Sequence, residues 1–112
     1  MTQVAEQLTI RIDRDFSQTP GSRNKDEGAF SGEEFLNAIL LPKFEQAEKE
    51  GTTLLIDLDG VEGYATSFLE EAFGGLARLH DPKRVLKILE FKSYDEPLLI
   101  DEITSYINEA TA

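Results

Sequence analysis

The stretch LLIDLDGVEGYATSFLEEAFGGL, residues 54–76, decides the fold of this chain. It begins with an apolar run that is typical of a central strand buried on both faces. A crossing turn is predicted at 59–66, and apolar residues then recur at helical spacing, which predicts a helix over about 67–80. A strand that leads through a turn into a helix is the repeating unit of α/β proteins.

The first half of the chain supplies one strand and one helix to this pattern. Apolar and polar residues alternate from 8 to 13, which predicts a strand with one buried face. Residues 17–30 are turn formers and charges, so we expect a loop there. Ser31, followed three residues later by a glutamate, predicts the capped start of a helix over about 31–50. We expect Pro42 to kink or break this helix.

The second half of the chain completes the alternation. The apolar run VLKILEF, residues 85–91, predicts another buried strand. A last helix is predicted over about 95–110, with either Ser93 or Asp95 as its cap. The order of elements indicates one α/β domain spanning residues 1–112, with helices packed on a sheet.

The composition restricts the classes of partner. The net charge is −11, and residues 31–112, with seven basic and seventeen acidic side chains, hold −10 of it. Such a surface repels nucleic acids and anionic lipids and suits a partner with a basic face, although solubility alone also explains it. The chain has no cysteine and no apolar run near the roughly 18–20 residues of a membrane span. We expect a cytoplasmic protein without a secretory signal.

The D-x-D-G-V element of Asp57, Asp59 and Gly60 is the main candidate for catalysis. Residues i and i+2 share one face of a strand, so two carboxylates there could hold Mg²⁺, as in haloacid-dehalogenase-type phosphatases. That class carries the motif on its first strand, whereas here it stands mid-chain. A Mg²⁺-dependent phosphohydrolase is therefore the alternative hypothesis. The favoured expectation is a protein with no catalytic residue, metal or cofactor.

Two adjacent hydroxyls, Thr66 and Ser67, stand where the helix is predicted to begin. Ser67 with Glu70 three residues later forms a capping box, so the Ser67 Oγ is expected to accept an N–H in the first turn. Thr66 precedes that cap and is expected to be exposed. A phosphate at a helix start is stabilised there and adds up to about two negative charges. Either hydroxyl is therefore a candidate phosphoswitch.

Residues 54–76 together resemble the signature of STAS domains, the anti-sigma-factor-antagonist fold. That signature is an apolar strand, D-L-S-G-V, a few residues, D-S-S-G-L and a helix. Residues 57–61 match the first part, and 65–69 occupy the second at the same spacing. The phosphorylated serine of the family falls on Thr66, while Ala65 and Phe68 replace the family's aspartate and glycine.

The upstream pattern of Arg23, Gly28, Ser31-Gly32 and Phe35 is similar to one subgroup, the STAS-like domain family of unknown function. The resemblance implies a single-domain STAS-like α/β fold with a mixed sheet covered by helices. It also implies a non-enzymatic regulatory module of a bacterial cytoplasm. Its partner would be a protein such as a GHKL-type ATPase or kinase, and its oligomeric state is left open.

The turn and the start of the second helix form the expected docking face. Arg23, in loop 17–30, would either meet an anionic group or be solvated, and it is given no role. The expected partner-docking residues are Asp57, Asp59, Gly60, Tyr64, Phe68, Glu70 and Glu71.

Overall fold

The computed structural model describes residues 6–110. Within them, strands β1 (Leu8–Arg11), β2 (Leu54–Asp57) and β3 (Leu89–Lys92) form one sheet in the order β1-β2-β3. The α/β class is confirmed, and β2 is the central strand as predicted. Both strand pairs are parallel, where a mixed sheet was expected. The reason is that a helical crossover follows each of the first two strands and returns the chain to the same end of the sheet.

Within the same residues, five helices and one 3₁₀ turn accompany the sheet. The two crossover helices each contain a π-helical segment. None of the helices in residues 6–110 has the length and apolarity needed to cross a bilayer. In chain order the elements are α1 (Ile12–Asp15), the 3₁₀ turn (Lys25–Glu27), α2 (Gly32–Phe35, π-helical Leu36–Leu40, Leu41–Glu50), α3 (Thr66–Leu69, π-helical Glu70–Gly74, Gly75–Leu79), α4 (Pro82–Ile88) and α5 (Leu98–Glu109).

The two faces of the central strand differ in burial. Leu54 and Ile56 are fully buried in the core, whereas Leu55 and Asp57 on the opposite face are only half-buried. The neighbouring Thr9 on that second face is exposed. The prediction that β2 is buried on both faces is therefore wrong. A one-sided core leaves the second face of the sheet polar, which is unusual for parallel strands.

Helix α2 continues through Pro42, so of the two expectations, a kink or a break, the break is wrong. The π-helical segment Leu36–Leu40 lies directly before Leu41 and Pro42. Proline has no N–H to donate to the preceding turn and crowds its carbonyl, and a π-helical segment relaxes that turn locally. The helix ends at Glu50, in agreement with the predicted end near residue 50, and its C-cap Gly51 has a φ of +70°, which suits glycine.

The run VLKILEF is mostly helical, in contrast to the predicted strand over 85–91. Helix α4 begins after Asp81, whose carboxylate accepts the Arg84 N–H at 3.4 Å, with Pro82 at the first helical position. An Asp-Pro pair is a strong start signal for a helix. It prevails over the apolar pattern, so β3 begins only at Leu89.

Phenylalanine rings join the two crossover helices beneath the candidate site. The ring centroid of Phe35 lies 5.2 Å from that of Phe16, 5.8 Å from Phe68 and 6.2 Å from Phe73. Phe35, Phe68 and Phe73 are fully buried. Aromatic pairs at these separations stabilise the core beyond the area that they bury. This cluster fixes the start of α3 against the start of α2.

Candidate functional site

The turn that follows β2 is held by hydrogen bonds of its own residues. The Asp59 N–H donates to Asp57 Oδ1 at 3.0 Å, and the Tyr64 hydroxyl donates to the Leu58 carbonyl at 2.9 Å. Burial, followed by the nearby carboxylates of Asp13, Asp57 and Asp59, raises the pKa of Tyr64. The phenol therefore stays a neutral donor. Tyr64 therefore stabilises the turn through its hydrogen bond, and because its side chain is half-buried it offers little surface to a partner.

Gly60 is required at the tip of this turn. Its φ is +85°, a conformation that favours glycine, and a Cβ there would lie 2.4 Å from Asp13 Oδ2. Its N–H donates to Asp95 Oδ2 at 3.1 Å, while the Asp95 N–H donates to Asp59 Oδ1 at 2.9 Å. These two reciprocal bonds clasp the turn to the segment that precedes α5.

Neither capping option predicted for the last helix is realised. Asp95 binds the turn, and the Ser93 hydroxyl donates to the Glu96 carbonyl at 2.6 Å. Pro97 occupies the N-cap position, so the helix begins at Leu98, later than the predicted 95. The Asp95 carboxylate meets a donor from a distant part of the chain, and that partner takes precedence over a local cap.

Asp57 is the last residue of β2, at the carboxyl end of the sheet, and it lies on the second face of the sheet, opposite to the core. Its Oδ2 is 3.6 Å from Lys92 Nζ, and its side chain is 13% exposed. In β1 the register partner of Asp57 is Arg11. Both carboxylates of the D-x-D element thus bind groups of the protein itself. Among residues 6–110, no three carboxylate or imidazole groups are arranged to hold a metal ion.

Helix α3 begins one residue earlier than predicted, and Ser67 is not its cap. Thr66 is the first helical residue, and the Leu69 N–H donates to the carbonyl of Ala65, the N-cap, at 3.2 Å. The predicted capping role of Ser67 is wrong because the chain already turns into the helix before it. Thr66 is exposed, as predicted, and Ser67 is half-buried.

The Thr66 side chain meets α5. The Tyr106 hydroxyl donates to Glu102 Oε2 at 2.7 Å and also interacts with the Thr66 side chain. Burial of the phenol, followed by its bond to Glu102, raises the pKa of Tyr106. Glu70 lies one helical turn beyond Thr66 and contributes to the same rise. Thr66 therefore borders an acidic pair on two different helices.

Arg23 has a definite role that sequence alone did not reveal. One guanidinium nitrogen, Nη1, donates to Glu70 Oε1 and lies 3.3 Å from Glu71 Oε1. Arg78 Nη1 approaches the other oxygen of Glu70 at 2.7 Å. Glu70, Glu71 and Arg78 on α3 therefore form an ion network with Arg23 of the loop. The hydrogen bond from Arg23, followed in strength by the one from Arg78, lowers the pKa of Glu70.

The loop 17–30 is bonded to the start of α2 beside this network, because the Gly32 N–H donates to the Ser22 carbonyl at 2.8 Å. The Ser31 hydroxyl accepts the Glu34 N–H at 3.0 Å, so the predicted cap is confirmed. A Cβ on Gly32 would stand 2.6 Å from the Phe68 carbonyl oxygen, so the two helix starts are in near backbone contact. Gly28, at φ +148°, supplies a bend that suits glycine.

The expected docking residues differ in exposure. Of the seven, Gly60 alone is exposed, at the tip of the turn, and the half-buried Asp59 beside it accepts the Asp95 N–H. Phe68 is fully buried and supports the surface from inside, so it offers no contact to a partner. Asp57, Tyr64, Glu70 and Glu71 are half-buried and bonded within the chain.

Comparison with known proteins agrees with this architecture. A family model described as a STAS-like domain of unknown function (DUF4325) matches residues 31–99, more than half of the chain. This chain belongs to that family. No curated protein and no solved structure matches it. The match includes the turn, Thr66 and both crossover helices, whereas Arg23 and Gly28 precede it.

Three side chains that form part of the site in this STAS-like domain were not predicted from the sequence to belong to it. Asp95 bonds to a turn 35 residues away in sequence, and Tyr106 and Glu102 come from the last helix. Such contacts depend on how α5 packs against α3, and no local pattern encodes that packing. The one available signal was the i, i+4 spacing of Glu102 and Tyr106, which places them on the same helix face.

Proposed function

We propose that this STAS-like domain is a non-enzymatic regulatory module that binds a protein partner at the turn 59–66 and the start of α3. In this proposal, phosphorylation of Thr66 controls the binding, as in an anti-sigma-factor antagonist. The observation that carries it is the exposed position of Thr66 as the first residue of α3, directly after the turn that is bonded to Asp95. The family match supports the fold and leaves the activity to be tested.

The rigidity of the turn supports a docking role. Its tip is held by the clasp to Asp95, its base by the Tyr64 hydroxyl, and its middle by the Glu62 N–H, which donates to the Gln18 carbonyl at 2.9 Å. A surface that is already ordered loses little conformational entropy on binding. A small set of contacts at this turn is then sufficient for a specific complex.

The charges around Thr66 support a switch that releases the partner. A phosphate there carries about −1.5 to −2 charges. It would stand beside Glu102, through Tyr106, and one turn before Glu70. The carboxylates of Glu102 and Glu70 would repel this phosphate, and the repulsion would displace the side chains around Thr66 that form the docking face. The phosphate would also compete with Glu70 for the cation of Arg23, which fixes the loop.

The partner in this proposal is a GHKL-type ATPase or kinase. It would supply a nucleoside triphosphate, whose terminal phosphoryl group forms a bond to Thr66 Oγ1. The bond from phosphorus to the leaving nucleoside diphosphate breaks, and the threonine proton passes to a base of the partner. This domain then supplies only the accepting hydroxyl and the surface around it.

Affinity capture from the native cells tests this proposal, with mass spectrometry for partners and for phosphate on the bait. The baits are wild type, Thr66→Ala, Thr66→Glu and, as a matched control, Gln46→Glu on an exposed position in the second half of α2. We expect one ATPase or kinase on wild type, Thr66→Ala and Gln46→Glu, and its loss from Thr66→Glu. Equal capture by both Thr66 variants would refute the switch, and capture of no specific protein would refute the binding function.

A further inference from the structure

The segment 94–98, YDEPL, is exposed throughout and carries two large apolar side chains. Tyr94 is 79% exposed and Leu98 is 77% exposed, the highest values among the large hydrophobic residues of the described chain. Single exposed apolar residues are common on protein surfaces. Two of them within five residues, next to a proposed docking turn, call for an explanation.

The segment is held rigidly, so its exposure does not result from a loose loop. Asp95 is bonded to the turn in both directions, and the buried Ser93 hydroxyl donates to the Glu96 carbonyl. Pro97 restricts the backbone, and the Leu99 N–H donates to the Glu96 carbonyl at 3.0 Å, which closes the turn at the start of α5. Tyr94 and Leu98 are thus displayed on a fixed frame, which is the property of anchor residues in interfaces.

The segment is continuous with the site around Thr66. The clasp joins it to Asp59 and Gly60 at one end. At the other end, Leu98, Glu102 and Tyr106 follow at intervals of four residues along one face of α5. Tyr106 interacts with Thr66. One surface therefore runs from Tyr94 through Leu98 to the proposed switch.

The charge of this surface restricts what it can bind. Residues 94–102, YDEPLLIDE, contain four carboxylates and neither lysine nor arginine. The Lys92 ammonium lies 5.1 Å from the centre of the Tyr94 ring and is also paired with Asp57. An acidic frame around apolar anchors is complementary to lysine or arginine next to apolar side chains. It disfavours nucleic acids and anionic lipids.

We infer that segment 94–98 is a docking surface for a basic amphipathic segment of a partner protein, with Tyr94 and Leu98 as its anchors. This inference rests on the proposed function and names the chemistry of the partner. Binding there would place the partner beside Thr66, because Leu98 shares one face of α5 with Tyr106, which interacts with Thr66. A phosphate on Thr66 would then act next to the docking surface as well as on the turn.

Fluorescence anisotropy with a labelled synthetic helix of leucine and lysine, LKKLLKLLKKLLKL, tests the inference at physiological salt. The same peptide with glutamate in place of lysine is the charge control. The variant carrying both Tyr94→Ala and Leu98→Ser is compared with wild type. Leu79→Ser is the matched control, because Leu79 is 58% exposed at the end of α3.

We expect the lysine peptide to bind wild type, and the double variant to raise its dissociation constant at least tenfold. Leu79→Ser should change it less than twofold, and the glutamate peptide should not bind. An unchanged constant in the double variant, or no binding of the lysine peptide to wild type, would overturn the inference. Circular dichroism of each variant checks that the fold is intact.

Affinity capture separates this inference from the proposed function. The double variant is used as bait beside wild type in the native lysate. Loss of the wild-type partner from the double variant supports the inference. Equal capture by both baits overturns the inference and leaves the binding function intact, whereas a wild-type bait without a specific partner refutes the binding function itself.

Discussion

Replacement of Gly32 by alanine tests whether the start of α3 is fixed by near backbone contact with α2. A Cβ on Gly32 would lie 2.6 Å from the Phe68 carbonyl oxygen, 3.2 Å from Phe68 Cα and 3.1 Å from Glu71 Cβ. Separations this short require an adjustment. Two of these three atoms belong to the backbone of a packed helix, so the adjustment must move α2 or α3 as a whole.

The magnitude follows from overpacking. An extra methyl group in a well-packed site costs about 1–3 kcal/mol. Alanine favours helix over glycine by up to about 1 kcal/mol, and less at the first helical residue, where Gly32 stands. The expected net loss in the free energy of unfolding is about 1–2 kcal/mol. For a chain of 112 residues this lowers the melting temperature by about 4–8 °C.

Gly63→Ala is the matched control for this measurement. Apart from its two chain neighbours, none of the described residues lies within 4 Å of a Cβ at Gly63, and its φ is not positive. Alanine there restricts the unfolded chain, so we expect unchanged stability or a gain of up to about 1 kcal/mol. Thermal melts followed by far-UV circular dichroism compare both variants with wild type. A Gly32→Ala variant that melts with wild type would refute the argument that close helix approach requires glycine.

Two further predictions concern ionisable groups. Glu70→Gln should lose on the order of 0.5–1 kcal/mol at pH 7, because its partners, including Arg23, are partly exposed. The pKa of Glu70 is lowered in the folded state, so the difference in the free energy of unfolding between wild type and Glu70→Gln should be complete above the ordinary pKa of 4.5. It should vanish as acid protonates Glu70 in the folded protein. Urea titrations measure this difference, and one that does not change with pH would contradict the argument. Tyr64→Phe should cost about 1 kcal/mol through the bond to Leu58. Because the pKa of Tyr64 is raised, wild type should lose stability relative to Tyr64→Phe as the pH rises above 10, and parallel curves would show that the phenol is not held neutral.

Two identical sequence signals show how far sequence alone predicts this site. Ser31 with Glu34 and Ser67 with Glu70 both have the S-x-x-E spacing of a capping box. Ser31 caps α2, and the Glu34 carboxylate accepts the Phe30 N–H at 3.2 Å. The second signal fails because Glu70 is bonded to two arginines and the helix begins at Thr66. A local signal holds where local groups have no competing partner.

The same distinction applies to the fold. The central strand, the crossover helices and the α/β class follow from hydrophobic periodicity, and they were predicted correctly. Helix α4 was not predicted, because the apolar run that follows Asp81 and Pro82 has the composition of a buried strand. The parallel direction of the strands and the clasp at Asp95 depend on the three-dimensional path of the chain. Local sequence patterns therefore do not predict these two features.

The two departures from the STAS signature have a common physical consequence at the start of α3. Ala65 occupies the N-cap, where an aspartate would stabilise the helix by about 1 kcal/mol more. Phe68, where the family has glycine, is fully buried, and burial of such a ring contributes about 1.5–3 kcal/mol. The start of α3 is thus stabilised less by its N-cap residue and more by side-chain contacts, which the Phe35 ring and the Arg23 guanidinium make. The exposed end, with Thr66, can then change its charge while the packing of the Phe68 ring against Phe35 still holds the helix.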